Sequence, residues 1–164
     1  MNERNEHIMH KIDKKLLLYL LIIPAYLLMI YLLSHQTGHT SNEISQGIIR
    51  RVLGKLFDIT GKELTRDMLD TINYLFRKFL HFTEYMILAM LFYCMLKNLP
   101  LGIQKRLVFS VLPAVIYSVS DEFHQLFVPN RTGQISDIII DSSGALIGAL
   151  LMYLLERRKI KKFV

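Results

Sequence analysis

The chain has 164 residues and a mass of 19.2 kDa, one domain's length, which leaves no room for a large multi-domain enzyme. Apolar residues make up 52%, mean hydropathy is +0.31, and 20 Lys and Arg against 14 Asp and Glu give a net charge of +6. The basic residues fall in short runs between long uncharged stretches, which is the pattern of a helical membrane protein and excludes a nucleic-acid domain, a disulfide scaffold and a disordered chain. Cys94 is the single cysteine, so no intrachain disulfide or cysteine-based zinc cluster forms.

The first uncharged run covers residues 16–33, with Pro24 in its middle. At about 1.5 Å per residue it reaches roughly 27 Å, near the ~30 Å of a hydrocarbon core. Lys14 and Lys15 precede it as in a signal peptide. The run is too long for that, and no Ala-x-Ala-like site follows before His35, so it reads as a retained span.

A long connection follows. Thr40-x-x-Glu43 resembles a capping box, and Ile44, Ile48, Val52, Leu56 and Phe57 come after it at helical spacing, with Gly61 ending the helix. This amphipathic helix either lies in the outer headgroup layer or covers the outer mouth of a bundle. Leu64, Met68, Ile72, Leu75 and Phe79 mark a second helix that runs into the next span.

The second span, 79–96, contains His81 and Glu84. The third begins at Leu107 and reaches membrane length only by continuing through Asp121-Glu122-Phe123-His124-Gln125 to about residue 128. The fourth, 135–155, carries Asp137 and Asp141 near its start. Further along it, Gly144-x-x-x-Gly148 with Ala145 and Ala149 makes a close-packing face, open either to a neighbouring helix or to a second copy in a homodimer. The expected fold is an all-α membrane protein, a single domain over 1–164 with four transmembrane helices in a bundle and an extra amphipathic helix between the first two.

Twelve of the twenty basic residues fall in the N-terminal segment (Arg4, Lys11, Lys14, Lys15), the 97–106 connection (Lys97, Lys105, Arg106) and the tail (Arg157, Arg158, Lys159, Lys161, Lys162). With four spans these lie on one side, and the positive-inside rule makes that side the cytoplasm, with both termini in it.

The ionisable residues in the spans then converge. Arg77, His81, Glu84 and Leu88 share one helical face, and Glu84 lies about 7–8 Å below the outer interface. Asp121, Glu122, His124 and Gln125 occupy the outer third of the third span, and Asp137 and Asp141 the outer third of the fourth. A charged side chain at the bilayer centre costs about 2.5–3.5 kcal/mol, so such a group faces a cavity, a partner or a ligand. Glu84, Asp121, His124, Asp137 and Asp141 are the candidate catalytic residues, and Arg77, His81, Glu122, Gln125 and Arg131 the candidate ligand-binding ones. The structural alternative pairs Arg77 or Arg131 with Glu84, Asp121 or Asp141 to lock the bundle.

Three chemistries suit these residues. Helical i,i+3 and i,i+4 spacing can aim His, Asp and Glu at a divalent cation. A carboxylate with an imidazole can do general acid/base work. Arg77, Lys78 and Arg131 at the rim suit a phosphate or pyrophosphate, arginine being made for bidentate contact. His35 and His39 read as surface residues without partners, and Ser118 as a helix-packing hydroxyl.

The same positions carry a family resemblance. Arg77-Lys78-x-x-His81-Phe82-x-Glu84-Tyr85-x-x-Leu88 and Asp121-Glu122-x-His124-Gln125-x-Phe127-x-x-x-Arg131-x-Gly133-x-x-x-Asp137-x-x-x-Asp141-x-x-Gly144-x-x-x-Gly148 resemble the signature of VanZ-like membrane proteins. Ser34-His35-Gln36 resembles that family's Ser-x-Gln after the first span. The resemblance covers residues 16–155. It implies a protein of the bacterial cytoplasmic membrane that acts on the cell envelope, the family's best-known member being associated with resistance to the glycopeptide antibiotic teicoplanin.

Three functions are expected from these readings. The first is an envelope protein that binds a lipid-linked cell-wall precursor or a lipoglycopeptide. The second is a membrane hydrolase or transferase acting on a lipid headgroup phosphate, with Glu84 or His124 as base and a divalent metal. The third is a structural protein whose charges lock helix packing.

Overall fold

The computed structural model describes residues 3–60 and 64–161. Gly61, expected to end a helix, and Lys162 lie outside the described residues, as do the side chains of Arg4, Lys11, Leu56 and Lys161. The described residues form five helices and no strand: α1 (Glu3–Ser34), α2 (Gly38–Thr60), α3 (Arg66–Leu96), α4 (Ile103–Gln125) and α5 (Ile135–Lys161).

Three helices are long and apolar enough to cross a membrane: Lys14–Ser34 of α1, α3, and Ile135–Ile160 of α5, with mean hydropathies of 2.5, 1.6 and 2.0. Helix α4 has 23 residues, about 34 Å of rise, which is length enough. Lys105 and Arg106 at its start and the Asp121–Gln125 stretch at its end keep it from that group by composition. The expected second loop helix and second span are one continuous helix, α3, whose Thr65 cap accepts a hydrogen bond from the Met68 amide at 3.4 Å.

Capping also corrects the start of α2. The helix begins at Gly38, and it is the Thr37 hydroxyl that accepts from the Thr40 amide at 3.3 Å. Thr40 is thus inside the helix, and Glu43 stands one turn from His39 at 3.5 Å instead of closing a capping box. Helix α2 docks on the first half of α3 through polar groups: the Ser45 hydroxyl donates to Asn73 Oδ1 at 2.5 Å, Asn73 donates to Asn42, and Gln46 Nε2 donates to Asp70 Oδ1 at 3.0 Å.

The core lies where α3, α4 and α5 meet, around Tyr85, Leu88, Ala89, Ala114, Ala145 and Ala149, with Ile30 of α1 against it. Its tightest contact follows from glycine. A Cβ on Gly144 would overlap the carbonyl oxygen of Phe82, and one on Gly148 that of Met86, so the α5 backbone lies directly on α3 at two successive turns. The face that spacing alone leaves open to a second copy is therefore occupied by α3 of the same chain.

At the Lys105 end of α4, Arg106 Nη1 meets Glu156 Oε1 at 2.5 Å, and Tyr93 OH donates to Glu156 Oε2 at 2.9 Å, joining α3, α4 and α5. At the opposite end a turn links α4 to α5. Asn130 there has φ 57°, the left-handed conformation that asparagine tolerates. The Gly38 amide donates to the Pro129 carbonyl at 3.1 Å, so the start of α2 sits on this turn.

Candidate functional site

Helix α3 carries Arg77, His81 and Glu84 on one face, α4 brings Asp121, Glu122 and Gln125 to its last turn, and α5 brings Asp137 and Asp141 to its first two. The glycine contact between α3 and α5 and the short α4–α5 turn place these three stretches side by side. Asp121, Glu122, Gln125, Asp137 and Asp141 are all buried.

Arg131, on the turn, is the hub. Its Nε donates to the Gln36 carbonyl at 3.1 Å, one Nη to the Leu33 carbonyl at 3.2 Å and the other to Gln125 Oε1 at 3.5 Å. The first two bonds fasten the turn to the last turn of α1 and to the residues just after it, the Leu33 carbonyl also accepting from the Gln36 amide at 3.4 Å. Burial, then Arg77, pulls the guanidinium below its ordinary pKa, against the opposing pull of Asp121, Glu122 and Glu84; an arginine stays charged all the same.

The acids find small polar partners. Gln125 Nε2 donates to both Asp121 Oδ2 (3.3 Å) and Glu122 Oε1 (3.2 Å), while the Gln134 amide donates to Glu122 Oε2 at 2.8 Å. Ser118, read from sequence as a packing hydroxyl, donates to Asp141 Oδ2 at 2.8 Å. The other oxygen of Asp141 stands 3.7 Å from His81 Nδ1, and both atoms are buried without a hydrogen bond. Asp137 pairs with Lys78. One ligand atom each from His81, Asp121 and Glu122 lies within 4.8 Å of the other two.

Two expectations are corrected. Neither Arg77 nor Arg131 makes an ion pair with Glu84, Asp121 or Asp141 among the described residues; the pairs at this end are Lys78–Asp137 and the longer His81–Asp141 contact. The other concerns His124, a candidate catalytic residue that lines neither of the two cavities around this cluster. It faces α1, where its Nε2 lies 3.1 Å from His35 Nδ1 and its ring packs against Tyr31 and His35, centroids 4.9 and 5.3 Å away. His35 is thus exposed as expected, yet it has a partner.

Two adjoining cavities define the space around these groups. One, about 120 Å³, is walled by Ile30 and Leu33 of α1, Ile44 and Ile48 of α2, and Phe76 and Leu80 of α3. Its charged end holds Arg77, His81, Glu84, Asp121 and Arg131. The second, about 290 Å³, is polar and takes in Lys78, Gln125, Asn130, Gln134 and Asp137. Arg77, His81 and Arg131 line both. Among the described residues the side chains of Glu84 and Arg77 carry no hydrogen bond or ion pair. The cavity wall on α1 was not legible from the sequence; on α2 the reading left open whether Ile44 and Ile48 face lipid or the bundle, and Ser34, Gln36, Ser41 and Ser45 are the polar residues at that edge.

An all-helical fold with three apolar, membrane-length helices and a buried polar cluster at one end defines a membrane-type helical protein. The family model described as VanZ/LLP1 matches residues 16–156, and the chain belongs to that family. No curated protein and no solved structure matches it.

Proposed function

We propose that the chain is a four-span protein of the bacterial cytoplasmic membrane, both termini inside, which binds an amphiphile from the outer leaflet. Helix α4 is the third of the four spans in chain order, with Asp121, Glu122 and Gln125 at its end facing the site and not lipid. The headgroup, a phosphate or pyrophosphate, sits in the polar cavity against Arg77 and Arg131, and its hydrocarbon chain enters the apolar cavity between α1, α2 and α3. A lipid-linked cell-wall precursor has this chemistry; a lipoglycopeptide of the teicoplanin type shares the hydrocarbon chain and offers the arginines a carboxylate in place of the phosphate, and sequestering either would alter glycopeptide susceptibility.

One observation carries the reading: an apolar cavity and a polar cavity adjoin at Arg77, His81 and Arg131, which matches the two-part chemistry of an amphiphile. The test is titration of the detergent-purified chain with a fluorescent polyprenyl phosphate and, separately, with labelled teicoplanin. Saturable binding of one molecule per chain to either, competed by the unlabelled compound, is expected. Binding no tighter than partition into empty micelles for both would overturn it.

A further inference from the structure

We infer that His81, Asp121 and Glu122 form a site for one divalent transition-metal ion. The inference goes beyond amphiphile binding and stands without it. Ligands to such an ion sit about 2.0–2.2 Å from it, so two of them stand at most about 4.4 Å apart. The three ligand atoms here lie within 4.8 Å of one another, a separation that a small side-chain rotation closes.

Consecutive residues on a helix point about 100° apart, and two neighbouring carboxylates do not ordinarily face one point. Asp121 and Glu122 do so because the single amide Gln125 Nε2 donates to both. They are 5% and 3% exposed, and among the described residues neither meets a Lys or Arg within ion-pair distance. Two adjacent buried carboxylates without a counter-ion are costly, and a divalent cation supplies the missing charge.

A second observation is independent of that cluster. Asp141 is wholly buried, its Oδ1 has no hydrogen-bond partner, and it faces His81 Nδ1 at 3.7 Å. A carboxylate behind an imidazole is the outer-shell arrangement of a metal-ligating histidine, and closing this 3.7 Å gap to hydrogen-bond distance would hold the proton on Nδ1 and leave the Nε2 lone pair for the ion. Ser118 in turn holds Asp141. One imidazole with two carboxylates and no thiolate favours Mn²⁺ or Zn²⁺ over Mg²⁺ or Ca²⁺.

The test uses the full chain in detergent, stripped with EDTA and titrated with MnCl₂. One Mn²⁺ per chain is expected by electron paramagnetic resonance, with pulsed spectra showing one directly bound imidazole nitrogen, and ZnCl₂ displacing the ion. Asp121→Asn and Glu122→Gln should abolish binding at equal Mn²⁺. Asp141→Asn should retain the site and weaken it about 10- to 100-fold, as loss of an outer-shell partner does. Failure to bind Mn²⁺ stoichiometrically, a bound ion without nitrogen coupling, or unchanged affinity in Asp121→Asn and Glu122→Gln would overturn the inference. The nitrogen coupling is read on the unsubstituted protein, so it decides even where a variant does not fold.

Discussion

Arg131 Nε donates to the carbonyl oxygen of Gln36 at 3.1 Å, joining the α4–α5 turn to the end of α1 across 95 residues of sequence. The same guanidinium reaches Leu33 and Gln125, so one side chain both closes α1 and forms part of the cavity wall.

Arg131→Gln should therefore destabilise the fold as well as the site. A hydrogen bond to a charged group contributes about 1.5–3 kcal/mol, and the loss here unties the α4–α5 turn from Leu33 and Gln36. A lowered unfolding temperature in detergent checks this. Arg131→Lys should fall between the two, since a single ammonium cannot span the three acceptors in the planar fork of arginine.

The glycine contacts give a sharper comparison. Gly144→Ala and Gly148→Ala push a methyl into the carbonyls of Phe82 and Met86 and should cost about 1–3 kcal/mol each, the range of overpacking. Gly47→Ala and Gly54→Ala, on α2 with open space around them, should be neutral or stabilise by about 0.5–1 kcal/mol through helix propensity. Thermal unfolding of the four variants side by side tests whether the α5 glycines are spent inside the chain.

Glu156→Gln should loosen the other end of the bundle. It weakens the pairing with Arg106 and the bond from Tyr93. Breaking a fully buried pair costs about 3–5 kcal/mol. The side chains keep 17% and 15% exposure, so a loss on the order of 2 kcal/mol is expected, read from the same unfolding curves.

Topology is testable with Cys94→Ser as background. A single cysteine placed at Thr132 should react with an impermeant maleimide on intact cells, and one placed at Asn98 only after permeabilisation. Labelling of both from the same side would remove α4 as a span.

The eighteen-residue uncharged run at 16–33 made α1 legible in the sequence, shorter apolar stretches of twelve to fourteen residues marked the spans in α3, α4 and α5, and helical spacing marked α2. The acids at 121, 122, 137 and 141 were legible as a cluster because burying them demands partners. His124 was misplaced because residues 121–125 sweep around more than a full turn. Asp121, Glu122 and Gln125 face inward, which leaves Phe123 exposed and His124 turned to α1. The apolar wall of Ile30 and Leu33 was not legible either, and Ile44 and Ile48 stayed open between lipid and bundle, since an isoleucine facing a cavity and one facing lipid look alike in sequence. Only the docking of α1 and α2 on α3 separates them.

The most direct test of amphiphile binding is the affinity of Arg77→Gln for a labelled polyprenyl phosphate beside that of the unsubstituted chain. Arg77 lines both cavities and among the described residues has no ion pair or side-chain hydrogen bond to lose, so its replacement should leave the unfolding temperature unchanged. Loss of a charge-assisted phosphate contact of about 1.5–3 kcal/mol predicts a Kd raised about 10- to 100-fold. An unchanged Kd in a folded Arg77→Gln protein would contradict the account.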